Sequence, residues 1–216
     1  MKSILVIGMG HFGQLFAERM QELGNDVMIV DENEEIVNEI AHKFTDSQIG
    51  DCCNPAVLRS LGINNFDICF VTIGDDFQAS LEITSLLKEA GAKHVVSKAR
   101  SDMQAKLLLK IGADEIIYPE KELSEKLAIR YNADNIFDYI QLTQEYSIYE
   151  IPCNQKWVGR TVADINVRNR YKVNIIAVNH NDNLEVAPGA NYVFSGSDRL
   201  IVLGKAADVF RLGGKA

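Results

Sequence analysis

Three glycines, Gly8, Gly10 and Gly13, follow the short apolar run Ile4-Leu5-Val6-Ile7 and precede an amphipathic segment. The spacing G-x-G-x-x-G constrains the chain strongly only in this setting, where a strand runs into a tight turn that opens a helix. The pattern that follows supplies the rest of that setting. Short β-branched runs alternate with helix-period segments, which predicts a parallel sheet covered by helices on both faces. Six strands are expected, at residues 3–7, 26–31, 46–50, 67–72, 94–98 and 115–118. The intervening helices carry their own punctuation. Asn54 precedes Pro55 as an N-cap, and Ser101 or Asp102 precedes Met103. Gly24, Gly62, Gly91 and Gly112 stand where helix C-caps need a left-handed residue.

After Tyr118 the sheet is complete, yet Pro119 begins another helix, with Leu123, Leu127, Tyr131, Ile136, Phe137 and Ile140 read as its apolar positions. Those side chains need a surface that the sheet does not supply. Past about residue 139 the pattern changes to antiparallel strands, clearest at 173–178 and 200–203, on either side of the turn-rich 179–183. The expected architecture is therefore α/β, a Rossmann-type parallel six-stranded sheet with an added helix over residues 1–139. A small α+β domain follows over 140–216. No repeat or low-complexity segment intervenes.

Composition narrows the function classes. The 216 residues are 47% hydrophobic and 24% charged, enough for one full core and a smaller one. No apolar run approaches the roughly 18 residues of a membrane span, and Met1-Lys2-Ser3 leads straight into a strand without a signal-peptide core. A cytosolic chain is expected. Cys52, Cys53, Cys69 and Cys153 form no C-x-x-C pair, which fits reduced thiols. A net charge of −8 argues against nucleic acid as a partner.

The glycine turn is read as a nucleotide site. Gly8 makes the tight turn, Gly10 lets phosphate approach the backbone, and Gly13 lets helix pack on strand. Asp31 ends the second strand, where a carboxylate accepts hydrogen bonds from ribose hydroxyls and repels a 2′-phosphate. Asp51 ends the third strand, either meeting the adenine or capping the turn before Pro55. Gly74 ends the fourth strand at the same sheet edge. Lys98 and Arg100 end the fifth, either facing phosphate or pairing at the surface. The expected nucleotide-binding set is Gly8, Gly10, His11, Phe12, Gly13, Asp31, Glu32, Asp51, Cys52, Ile73, Gly74, Lys98 and Arg100. No acid/base group aims at a nicotinamide, and the C-terminal segment holds a single histidine, His180, in a polar turn. A non-enzymatic sensor is the first expectation; an NAD(H)-dependent oxidoreductase or redox sensor is the alternative.

Five segments in order carry a resemblance to a known family. They are Ile7-Gly8-Met9-Gly10-His11-Phe12-Gly13, residues 73–80, Lys110-Ile111-Gly112-Ala113-Asp114, Tyr118-Pro119-Glu120-Lys121 and Asp164-Ile165-Asn166-Val167-Arg168. The chain resembles the RCK (regulator of K+ conductance) family, in its KtrA/TrkA type, along its whole length. The resemblance implies an RCK_N domain that binds ATP, ADP or NAD(H), a crossover helix, and an RCK_C domain. It further implies homodimers that assemble into an octameric ring beneath a membrane-embedded, KtrB/TrkH-like potassium pore. Members usually carry arginine where this chain has His11. Glu120 matches a glutamate that helps hold a divalent or monovalent cation at the dimer interface; the plainer reading is a helix-dipole partner. Arg168, Asn174, Ile175 and Pro188 match positions that bind cyclic di-AMP in some relatives, and equally suit a dimer seam.

Overall fold

The computed structural model describes residues 1–132 and 137–212. The chain forms two compact units, Met1–Glu122 and Leu123–Ala216. In the first, β1 (Ser3–Ile7), α1 (His11–Glu22), β2 (Asp26–Asp31), α2 (Glu34–Ile40), β3 (Asp46–Ile49) and α3 (Pro55–Leu61) make one half. The other half is β4 (Ile68–Val71), α4 (Phe77–Glu89), β5 (Val95–Lys98), α5 (Asp102–Ile111), β6 (Glu115–Ile117) and the start of α6 (Pro119–Asn132). Strand order is β3-β2-β1-β4-β5-β6 and every pairing is parallel. The order reverses beside β1, and open sheets bind ligands at such a switch point.

β1 shows why this sheet is central. Its side chains alternate between two buried clusters, Leu5 and Ile7 packing with Val30, Leu58, Ile83 and Leu87, and Ile4 and Val6 with Met9, Ala17, Ile29 and Phe70. A strand buried on both faces reads as a continuous apolar run. Asn54 and Ser101 cap α3 and α5 as expected, and Gly24, Gly62, Gly91 and Gly112 all have positive φ.

The second unit holds a five-stranded antiparallel sheet, β10-β9-β11-β8-β7, built from β7 (Asp138–Gln141), β8 (Tyr146–Pro152), β9 (Asn174–His180), β10 (Asn183–Val186) and β11 (Arg199–Lys205). The short helices α7 (Val162–Ile165), α8 (Val167–Tyr171) and α9 (Ala206–Leu212) complete it. Trp157, Val173, Phe194, Leu200 and Val202 lie in its core. The turn expected across 179–183 narrows to Asn181 and Asp182, both at positive φ, as a two-residue hairpin between twisted strands requires.

Two expectations need correction. Ile140 lies in β7 and Phe137 just before it, so neither belongs to α6; Ile136 falls outside the described residues. Tyr139 pairs with Tyr149 across the β7–β8 ladder and is buried there, an environment that favours a strand over further helix. A boundary at 139/140 would cut that strand, whereas the compact units divide between Glu122 and Leu123.

Candidate functional site

The geometry of the glycine turn follows from its three glycines. Gly8 has φ +98°, and a Cβ there would meet Ile73 Cγ1 at 2.8 Å. A Cβ on Gly13 would stand 2.1 Å from the Gly8 carbonyl oxygen and 2.8 Å from Thr72 Oγ1. Thr72 locks the arrangement by donating to the carbonyls of Ile7 and Gly8 at 3.0 and 2.6 Å. Gly10 differs, because nothing lies within 4 Å of its would-be Cβ. It is the N-cap of α1, and no side chain caps that helix. Helices α2, α3, α4 and α5 are each capped by their own Asn33, Asn54, Asp76 or Ser101 side chain. The α1 N-terminus thus presents its N–H groups and dipole toward an approachable backbone.

A cavity of about 440 Å³ opens at this point. Of the expected set, Gly8, Gly10, Asp31, Glu32, Asp51, Cys52, Ile73 and Gly74 line it. His11 is exposed on the first residue of α1, Gly13 is packed beneath the turn, and Phe12, Lys98 and Arg100 lie outside the lining. The expected set omitted Ile7, Gly50, Cys53, Thr72, Asp75, Asp76, Ala79 and Ile83, which also line the cavity. Asp76, Ala79 and Ile83 follow helical spacing, a signal that could have placed one face of α4 against the cavity.

Asp31 and Asp51, two carboxylates of the lining, are tied to the backbone. Asp31 accepts from Met9 N at 2.5 Å and from Asn33 N at 2.8 Å. Asp51 accepts from Cys53 N at 2.8 Å, so its turn role and its place in the lining coexist. Burial, reinforced by Asp51, pushes the Cys52 thiol up to about 12 and Cys53 to about 11. Both stay protonated at neutral pH, which weakens them as nucleophiles.

At the rim, Lys98 and Arg100 stand beside Gly74. A Cβ on Gly74 would lie 3.6 Å from Lys98 Nζ and 3.5 Å from Arg100 Cδ. Arg100 pairs with Asp75 and donates to the Gly74 carbonyl at 3.3 Å. Lys98 pairs with Glu120 at 2.7 Å and lies 5.3 Å from the centroid of the Phe12 ring. The Lys98 hydrogen bond holds the Glu120 carboxyl below the usual carboxylate range. Among the described residues no three His, Cys, Asp or Glu side chains gather to hold a metal ion.

In the second unit, Arg168 is exposed on α8, Asn174 and Ile175 open β9, and Pro188 lies beyond β10. Helix α8 packs against β9, which brings the elements carrying Arg168, Asn174 and Ile175 together. Among the described residues no helix is long and apolar enough to cross a membrane.

The TrkA-N domain model matches residues 4–119 and the TrkA-C domain model residues 146–212. The chain is 38% identical to Ktr system potassium uptake protein C of Bacillus subtilis over 210 residues, 97% of this chain and 95% of that protein. It is 37% identical to protein A of the same system and organism, with the same coverage. Its fold is shared with the GsuK channel, at TM-score 0.73 and 17% identity, covering all of this chain and 40% of that one. The NAD-bound GsuK channel gives TM-score 0.68 at 16% identity, with the same coverage. A TrkA-N domain on a 3-2-1-4-5-6 Rossmann sheet, followed by a TrkA-C domain, places this chain in the RCK family, in its KtrA/TrkA type.

Proposed function

We propose that this chain is a cytoplasmic, non-enzymatic regulatory subunit of a potassium uptake system, and that it senses an adenine nucleotide in the cavity beside Gly10. The observation that carries the reading is the α1 N-terminus, which has no side-chain cap and abuts the open space over Gly10. A phosphate seated there meets the helix N–H groups and a partial positive charge. Asp31 and Glu32, at the end of β2, suit a ribose with free hydroxyls and repel a 2′-phosphate. ATP, ADP and NAD(H) share that adenosine diphosphate core.

A sensor acts by binding one conformation of an assembly more tightly than another. In this reading the chain works as a homodimer within an octameric ring under a membrane pore subunit. Support comes from the exposed Leu123, Leu127 and Tyr131 on α6, an apolar face available to a second copy. The kinship with Ktr potassium uptake proteins supports the pore partner.

The test is calorimetric titration of ATP, ADP, NAD+ and NADH, paired with potassium flux through the co-reconstituted pore subunit. Nucleotide binding that changes the flux is expected. Binding of NADH alone, without any effect on flux, would favour a redox sensor instead. Cyclic di-AMP, proposed for the region of Arg168, Asn174, Ile175 and Pro188, and divalent or monovalent cations, proposed for Glu120, form further arms of the same titration.

A further inference from the structure

The rim of the cavity contains a largely buried cation at the end of β5 that pairs with a carboxylate on a helix, α6. The Lys98 side chain is 9% exposed and its ammonium is held by Glu120 in the first turn of α6. A cation that withdrawn from water needs an anion close by. Its position beside Gly74, a lining residue, and over the ring of Phe12, which stands between Gly10 and Gly13, also brings it to the edge where phosphate is proposed to sit. Arg100 is engaged as well, yet its partner Asp75 has a side chain 99% exposed, and such surface pairs are weak. Lys98 is thus the rim cation whose choice of anion matters.

Resting on the nucleotide reading above, we propose that Lys98 is an exchange point: it holds Glu120 or the outer phosphate of a bound nucleotide, and phosphate binding releases the first turn of α6. Glu120 competes with phosphate for one ammonium, so each anion lowers the apparent affinity of the other by the same factor. Helix α6 continues to Asn132, beyond the end of the first compact unit at Glu122. Phosphate would therefore be read on the element that leads out of the nucleotide-binding unit. The chemical class recognised is an adenosine polyphosphate, and the regulated feature is the tether of α6 to β5.

The experiment titrates adenosine, ADP and ATP into the full-length wild type, Glu120→Gln, Lys98→Met and the double variant, in buffer containing a chelator. Removing the competing carboxylate with Glu120→Gln is expected to tighten ATP by about 10-fold, with a gain that grows from adenosine to ADP to ATP. Lys98→Met weakens ATP, and in its presence Glu120→Gln adds no further gain. Hydrogen exchange over α6 is expected to rise when ATP binds the wild type and to be already raised in Glu120→Gln. A wild type that binds ATP while Glu120→Gln leaves its affinity unchanged or lowers it overturns the exchange and leaves the nucleotide site standing. Absence of binding by the wild type overturns both.

Discussion

The carboxylate of Asp31 accepts the backbone N–H of Met9 at 2.5 Å, tying the end of β2 to the middle of the glycine turn. The residue read as a ribose partner therefore also shapes the turn that would receive the phosphates. Asp31→Ala is expected to weaken ATP, ADP and NAD(H) alike and to cost about 2 kcal/mol of stability through loss of charge-assisted hydrogen bonds. Calorimetry together with urea denaturation separates the two effects, and an unchanged affinity would place the ribose elsewhere.

Gly10 and Gly13 should respond oppositely to the same methyl group. At Gly13 the added Cβ collides with the Gly8 carbonyl, so Gly13→Ala is expected to destabilise by about 3 kcal/mol. Space is open at Gly10, so Gly10→Ala should keep stability within about 1 kcal/mol. Its methyl group would instead stand where phosphate approaches, and nucleotide affinity should fall. Melting temperatures and titrations on the two variants provide the comparison.

Asp198 is 1% exposed and accepts from Tyr192 Oη at 3.0 Å and from Ser195 N at 2.8 Å, with His180 Nδ1 at 2.7 Å. Burial and the bond to Asp198 push the Tyr192 hydroxyl up to about 12. Asp198→Ala strands several polar partners at once and is expected to cost about 3 kcal/mol. Denaturant unfolding of the full chain measures it. A loss below about 0.5 kcal/mol would show that the cluster is structurally idle.

Acid should loosen the first unit through Asp114. Burial raises its carboxyl, but the bond from Val95 N at 2.7 Å and the Lys88 pair at 3.0 Å outweigh that and hold it below the usual range. A depressed folded-state value means the contribution is present above about pH 4 and fades as the pH falls through the folded value. Melting curves between pH 7 and pH 2 should show a steeper acid limb for the wild type than for Asp114→Asn. Parallel limbs would remove Asp114 from the account.

Leu123 and Leu127 are 57% and 37% exposed on α6. If this face meets a second copy, Leu127→Asp should lower the mass seen by analytical ultracentrifugation while leaving the melting temperature of the dissociated chain almost unchanged. An unaltered oligomer would move the contact off this helix.

By itself, the amino-acid sequence determined the Rossmann sheet, its six strands, the glycine turn and half of the cavity lining. Those features rest on short-range physics: strand and helix periods, glycine φ, and caps a few residues from the helices they serve. The second unit was legible mainly as a change of pattern. Only the tertiary structure decided where Phe137 and Ile140 go, because an apolar residue suits a helix face or a strand until its neighbours are known. It alone decided the charge pairings at the rim. Lys98 meets Glu120 and Arg100 meets Asp75 across different elements, and nothing local specifies such contacts. The sequence leaves Lys98 and Arg100 either facing phosphate or pairing at the surface, and in the folded chain both cations already hold carboxylates.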